Sequence, residues 1–320
     1  MTGSSENYRE RKEVIKPARL NIGDEIRIIA PSSYPEIISL SQSVEEITRI
    51  GYKVTYGINV KKLNQETYHS ANPELRAKEL MDAFRDDKVK AIFCARGGHG
   101  ARQILPFLDF DVIRDNPKIF MGYSDITNLH MAINKISGLV TFHGPMPDTD
   151  TEEFRGEKLE TMFKIFRGEL SDLKPYIKRL VKYVVGGSAQ GRSMGTNMSV
   201  FSSLTGTPYM PEFTDKVLFC EDTNERSVDI ERYLDIMILN GTINQLAGFV
   251  FGEFKNRSTS GEGKPSIEDV IREYMVKYSK PSLAMAPFGH GNEQMLIPLN
   301  LKVRISESEP YIELMESMVD

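Results

Sequence analysis

The residues with most chemical potential in this chain stand beside glycines, at the ends of short apolar runs. Gly122-Tyr123-Ser124-Asp125-Ile126-Thr127 lies where a strand pattern turns straight into a helical one. Open α/β folds place ligands at such carboxyl strand ends. A serine there points its Oγ out of a tight turn. The N–H of Asp125 then faces the same side and is able to hold an oxyanion. The second glycine of a Gly-x-Ser-x-Gly turn is missing. The competing reading makes Ser124 the N-cap of the following helix.

Arg96-Gly97-Gly98-His99-Gly100 also follows a strand and opens a helix. Its glycines permit close backbone approach and expose N–H groups, as a phosphate cradle or a second oxyanion donor requires. The Lys-Ser/Thr of a P-loop is absent, and a plain tight turn is the alternative. Glu221-Asp222-Thr223-Asn224-Glu225 follows another apolar run. Its carboxylates are suited to binding a metal, orienting a histidine or capping the next helix.

A serine nucleophile needs a base within hydrogen-bond reach, usually histidine. The chain has five histidines. His290 lies in Phe288-Gly289-His290-Gly291, and His143 lies in Phe142-His143-Gly144-Pro145, each just past a predicted strand. Spacing does not choose between them. His130, on a helix, reads as packed or solvated. No His-Glu-x-x-His and no Cys-rich spacing occur, so neither a metal nor a cofactor is expected. Cys94 and Cys220 sit inside apolar runs and read as buried thiols.

These groups must be positioned by a sheet. Strand signals at 26–30, 53–56, 91–95, 119–121 and 139–142 alternate with helical spacing at 35–50, 73–84, after Gly100 through 108, and 125–135. This is the pattern of a parallel sheet with crossover helices. A second alternation follows. Strands are expected at 217–220, 246–251 and 282–286, helices at 198–204, 229–239 and 267–278, and antiparallel strands over 295–297, 301–305 and 311–314. The expected fold is α/β: a mostly parallel N-terminal domain over 18–170, a linker over 171–184 broken near 175, and a C-terminal α/β domain over 185–318. Residues 1–17 read as a loose charged leader. If the strands are parallel, Gly97-Gly98, Ser124, His143, Glu221 and His290 gather at one edge.

The 320 residues carry a net charge of −5, with 40% hydrophobic and 27% charged residues. No basic face is expected, so nucleic acid is not a partner. No window approaches the ~20 apolar residues of a membrane span, and the polar start lacks a signal peptide's apolar stretch. A cytoplasmic protein that does not engage a membrane is the expectation.

Six ordered segments give the chain a resemblance to the L,D-carboxypeptidase family, which includes the microcin C self-immunity peptidases. They are Arg96-Gly97-Gly98-x-Gly100, Gly122 to Thr127, Phe142 to Met146, Gly206-Thr207-Pro208-Tyr209, Phe219-x-Glu221-Asp222 and Phe288-Gly289-His290. The resemblance spans about Leu20 to Leu299. It implies a doubly wound N-terminal domain with the active site between it and the C-terminal domain, and Ser124 as nucleophile, Glu221 as orienting acid and His290 as base, with His143 a supporting residue near the site. The oxyanion donors would be the N–H groups of Asp125 and Gly98. Arg96, Arg192 or Arg226 would read a substrate carboxylate, with His143 also against the substrate. A homodimer acting on a small peptide or peptide conjugate is implied too.

The characteristic substrate would be a murein tetrapeptide. The alternative, an aminoacyl-nucleotide conjugate, resembles a branch that uses tryptophan near the nucleotide, whereas this chain has none. A non-catalytic small-molecule binder is the remaining alternative. The chain departs from the family pattern at His99, at Gly195-Thr196-Asn197 and at Asn300; the first two are expected to shape the substrate cleft.

Overall fold

The computed structural model describes residues 8–61, 68–171, 181–255 and 265–320. The first half runs β1 (Glu25–Ile29), α1 (Ile37–Arg49), β2 (Lys53–Tyr56), α2 (Pro73–Arg85), β3 (Val89–Cys94), α3 (Ala101–Ile104), α4 (Phe110–Asp115), β4 (Ile119–Gly122), α5 (Thr127–Ile136), β5 (Thr141–His143) and α6 (Gly156–Phe166). Local chemistry explains the boundaries. Asn72 Oδ1 accepts from Leu75 N, and Pro73 occupies the first turn of α2, where its missing N–H costs nothing. The single helix expected through 108 is instead α3 followed by a 3₁₀ turn at Leu105–Phe107. Pro106 lacks the N–H that a continuing α-helix would use.

The second half runs β6 (Lys182–Val185), β7 (Ala189–Asn197), α7 (Met198–Ser202), β8 (Lys216–Thr223), α8 (Ser227–Leu239), α9 (Thr242–Gln245), β9 (Gly248–Lys255), α10 (Ile267–Lys277), β10 (Ser282–Ala284), β11 (Ile297–Leu299), β12 (Lys302–Ile305) and β13 (Ile312–Leu314). β7 has no counterpart among the expected strands. Its sequence, AQGRSMGTN, is small and polar, so its strand state comes from pairing with β8 and β12 on its two sides. Residues 172–180 of the expected linker lie outside the described residues, and the linker's last stretch enters β6.

Two sheets form. The first has the order β11-β5-β4-β3-β1-β2, parallel throughout except for the antiparallel edge β11. The C-terminal half therefore lends a strand to the N-terminal sheet. The second has the order β13-β12-β7-β8-β9-β10-β6, with β7 to β10 parallel and the rest antiparallel. A continuous apolar core joins the two halves. Leu129, Ile133, Phe120 and Tyr123 belong to the same buried cluster as Met194, Phe201, Leu218 and Leu234. Burying such side chains stabilises by about 1.5–3 kcal/mol each, so the halves are packed as one body.

The expectation of a loose leader needs correction from Tyr8 onward. Arg11 N donates to Lys135 O at 2.9 Å, and Ile15 N to Gly138 O at 2.9 Å. Glu10 pairs with Lys216 and accepts from Glu212 N at 2.6 Å. This segment straps α5 to the start of β8. Its charges find partners only in the tertiary structure, which is why composition alone read it as loose.

Candidate active site

Three elements from distant parts of the chain bring one line of polar atoms together. Ser124 Oγ lies 3.1 Å from His290 Nε2, and His290 Nδ1 lies 2.7 Å from Glu221 Oε2. Glu221 accepts the Nδ1 proton, which leaves Nε2 as an acceptor for the serine hydroxyl. That tautomer follows from the network rather than from seen hydrogens. Glu221 is fully buried, while Ser124 and His290 are partly open.

Ser124 stands in the turn between β4 and α5 at φ 61°, a left-handed conformation unusual for a side-chain-bearing residue. Strain of this kind, of order 1–3 kcal/mol, persists only where the surroundings over-determine it. Here they do. His130 Nε2 donates to Gly122 O at 2.8 Å, fixing the strand end. His130 Nδ1 meets Thr141 Oγ1 at 2.9 Å. His130 is thus a packed residue, its pKa pushed down to about 4 by burial. The reading of Ser124 as a helix N-cap is not upheld: the cap position is Tyr123, and no side chain caps the turn.

Asp125 ties the Ser32 loop to the start of α3 and the first turn of α5. Its carboxylate accepts from Ser32 Oγ (2.6 Å), Ala101 N (2.7 Å) and Asn128 Nδ2 (2.9 Å). The Ala101 bond holds the glycine loop beside the serine. A Cβ on Gly97 would lie 2.9 Å from Ser124 Cβ, so only glycine permits this approach. Gly98, the next residue, is exposed on the rim with φ +102°.

Glu221 does not follow β8, as the strand pattern suggested, but lies within it. The β8–β9 register shifts between Cys220 and Asp222, placing the acid at a bulge. Bulges re-aim side chains, and this one lies beside the His290 loop. Gly289 completes the contact. A Cβ there would lie 2.8 Å from both Glu221 Cβ and Oε2, and the residue has φ +105°. Glu221 Oε1 is buried without a hydrogen-bond partner among the described residues. An anion so poorly satisfied favours a cationic imidazole beside it.

Burial on its own would lower the His290 pKa. The hydrogen bond and charge of Glu221, with Asp222 and Asp150 behind it, outweigh burial and leave it above the ordinary histidine value. Asp222 is held near 6 by burial and by Glu221, and it accepts from Ser199 N at 2.7 Å. The arrangement suits nucleophilic attack by a serine hydroxyl with histidine as base.

Residues 26–144 match the LD-carboxypeptidase N-terminal domain, and residues 190–305 match the LD-carboxypeptidase C-terminal domain. The chain belongs to the LD-carboxypeptidase family. It is 35% identical over 305 residues to a probable murein peptide carboxypeptidase of Bacillus subtilis, covering 92% of each chain. The fold is similar to that of the microcin C7 self-immunity protein MccF in complex with aspartyl sulfamoyl adenosine. There the TM-score is 0.84 at 24% identity, covering 96% of this chain and 100% of the other. It is also similar to muramoyltetrapeptide carboxypeptidase from Oxalobacter formigenes, with TM-score 0.75 at 24% identity, covering 90% and 97%. Those two likenesses speak to fold alone. As a member of this family, the chain is a peptidase of serine hydrolase type.

The remaining sequence expectations divide. Arg96, next to the glycine loop, is 43% exposed in its side chain and meets Asp148 at 3.3 Å. Arg192 lies at the wrong end of the sheet. In the parallel β7–β8 register it faces Lys216, while Asn197 faces Glu221. Five residues of strand, roughly 16 Å, separate Arg192 from the Glu221 level. It donates instead to Asn300 O at 3.2 Å. Arg226 is occupied with Asp229 at the start of α8, at 2.7 Å. His143, expected against the substrate, is fully buried. Its Nδ1 meets Thr196 Oγ1 at 2.6 Å, and burial keeps it neutral, well below the ordinary pKa.

Thr196, too, is buried rather than at the cleft wall. His99 lines a cavity of about 170 Å³ with Arg102, Asn128 and Ser199. Asn300 adopts φ 69°, the conformation that a glycine would otherwise serve. Cys94 and Cys220 are fully buried thiols. Sequence reasoning missed Asp150, which accepts from the Tyr123 hydroxyl at 3.2 Å. Only its place shortly after Phe142 to Met146 hinted at it.

Proposed function

We propose that this enzyme removes the terminal D-alanine from murein tetrapeptides by hydrolysing an L,D-peptide bond. The observation that carries the reading is the Ser124–His290–Glu221 line of hydrogen bonds at 3.1 and 2.7 Å. Ser124 attacks the scissile carbonyl while His290 takes its proton. Glu221 holds the imidazole and stabilises its cation. The N–H groups of Asp125 and Gly98 receive the oxyanion. His290 then protonates the leaving amine, and water releases the acyl-enzyme. Arg96 reads the carboxylate of the departing residue, since its partly exposed guanidinium stands directly before the glycine loop.

The similarity to the Bacillus subtilis relative supports a murein peptide as substrate. The likeness of fold to MccF keeps an aminoacyl-nucleotide conjugate as the second substrate to test, but the absence of tryptophan weighs against it. We place the enzyme in the cytoplasm, in peptidoglycan recycling, as a homodimer. No helix among the described residues is long and apolar enough to cross a membrane. Light scattering on the purified protein tests the dimer.

The deciding assay is mass spectrometry of wild type and Ser124→Ala with a lysyl or diaminopimelyl tetrapeptide. Loss of one alanine residue with wild type only is the expected result. Cleavage by both variants would overturn the mechanism. Cleavage by neither, with turnover of an aminoacyl-sulfamoyl nucleoside, would move the substrate to the second class.

A further inference from the structure

The two hydrogen bonds on His290 fix the line through its nitrogens but do not by themselves fix the tilt of the ring about that line. An aromatic residue packs beside the ring. Tyr123 lies edge-on to His290, with centroids 5.0 Å apart and planes at 62°. On another side Tyr123 meets His143 in the same manner, at 5.5 Å and 61°. Edge-to-face contacts of this kind are favourable and directional. The Tyr123 ring is itself anchored by its hydroxyl, which donates to Asp150 Oδ1 at 3.2 Å.

Asp150 is built to hold that hydroxyl. Its Oδ2 accepts from Met146 N at 2.8 Å, and its own N–H donates to Met146 O at 2.9 Å. This reciprocal pair locks the carboxylate and leaves Oδ1 to Tyr123. We infer that Asp150 is a positioning residue for His290, acting through the hydroxyl and ring of Tyr123. Because Tyr123 immediately precedes Ser124, the same anchor steadies the strained turn that carries the serine hydroxyl.

The charge of Asp150 adds an electrostatic part. His290 is faced by Glu221 and Asp222 from β8 and by Asp150 from the loop after β5, and all three favour its cation. Asp150 is faced by Tyr123, Glu153 and His290, and burial raises its own pKa to about 6. Tyr123 is further faced by Glu221 and Arg96. His143, neutral and buried, adds no charge. Asp150 is partly open to solvent, so its effect on His290 is screened and modest.

The inference rests on the proposed roles of Ser124 and His290, and its test separates the two. The imidazole Cε1–H signal of His290 is titrated by NMR in wild type, Asp150→Asn and Tyr123→Phe, assigned with His290→Asn. Steady-state kinetics on the murein tetrapeptide run alongside. Asp150→Asn is expected to lower the His290 titration midpoint by about half a pH unit. It should also lower kcat about tenfold, with KM within about twofold. Tyr123→Phe keeps the ring and the charge. It is expected to lose kcat to a similar extent with a smaller shift, and Asp150→Glu should recover part of the rate.

An unchanged His290 midpoint in folded Asp150→Asn overturns the inference. Should that variant fail to fold, kcat within twofold of wild type in Tyr123→Phe overturns it. Absence of any tetrapeptide cleavage by wild type would defeat the proposed function instead, while the imidazole titration would still decide the role of Asp150.

Discussion

The hydroxyl of Ser124 lies 3.1 Å from Nε2 of His290, although 166 positions separate the two residues. The contact spans the junction of the two sheets. It exists because the apolar core runs unbroken between them. Anything that shifts one sheet on the other by an ångström would break it, at a cost of about 10²-fold in rate.

Ser124 trades stability for position. Ser124→Gly should be inactive yet more stable, by about 1 kcal/mol, because glycine adopts φ 61° without strain. Urea unfolding monitored by circular dichroism measures the difference. A less stable glycine variant would mean that the serine hydroxyl contributes more than the turn costs.

The pH profile has a predicted sign. The base must be neutral to take a proton, so kcat/KM falls as pH drops through the His290 pKa. That pKa is raised, chiefly because Glu221 outweighs burial. The acid limb should therefore have its midpoint above the ordinary value of about 6.5. Glu221→Gln should move the limb to lower pH. The same raised pKa lets His290 contribute stability below its unfolded value, and this is lost as pH rises through the folded one.

Gly289 is a steric requirement. Gly289→Ala introduces a Cβ 2.8 Å from Glu221 Oε2 at φ +105°. The expected outcome is a loss of at least about 10²-fold in kcat/KM, with stability reduced by about 1–3 kcal/mol. Rates within threefold of wild type would show that the His290 loop yields easily.

The two arginines should separate in kinetics. Arg96→Ala should raise KM about tenfold or more by losing a charge-assisted contact to the substrate carboxylate. Arg192→Ala should leave KM unchanged, since Arg192 sits roughly 16 Å from the Glu221 level along its strand. A raised KM in Arg192→Ala alone would reverse the assignment.

Much of this protein was legible in its sequence, for local reasons. Val89–Cys94 and Ile119–Gly122 are apolar runs ending in glycine turns, and Asn72-Pro73 announces a helix start. Periodicity and capping are short-range physics, so they appear in a single chain. The order of Ser124, Glu221 and His290 was legible only through likeness to a family, because spacing left His143 and His290 equal. Tertiary structure parted them: His143 is sealed beneath Tyr123 while His290 reaches the serine.

Other features had no local signal at all. β7 is polar and became a strand by pairing on both sides. Arg192 looked like a cleft residue until register set it at the far end of its strand. The bulge that aims Glu221, the grip of Asp150 on Tyr123 and the strap made by Glu10 and Arg11 each join distant residues. Sequence by itself determined most of the strands, helices and glycine turns, β7 apart, because those choices are settled within a few residues. Only the folded sheets decided which polar groups meet, because a hydrogen bond depends on tenths of an ångström that packing, not spacing, controls.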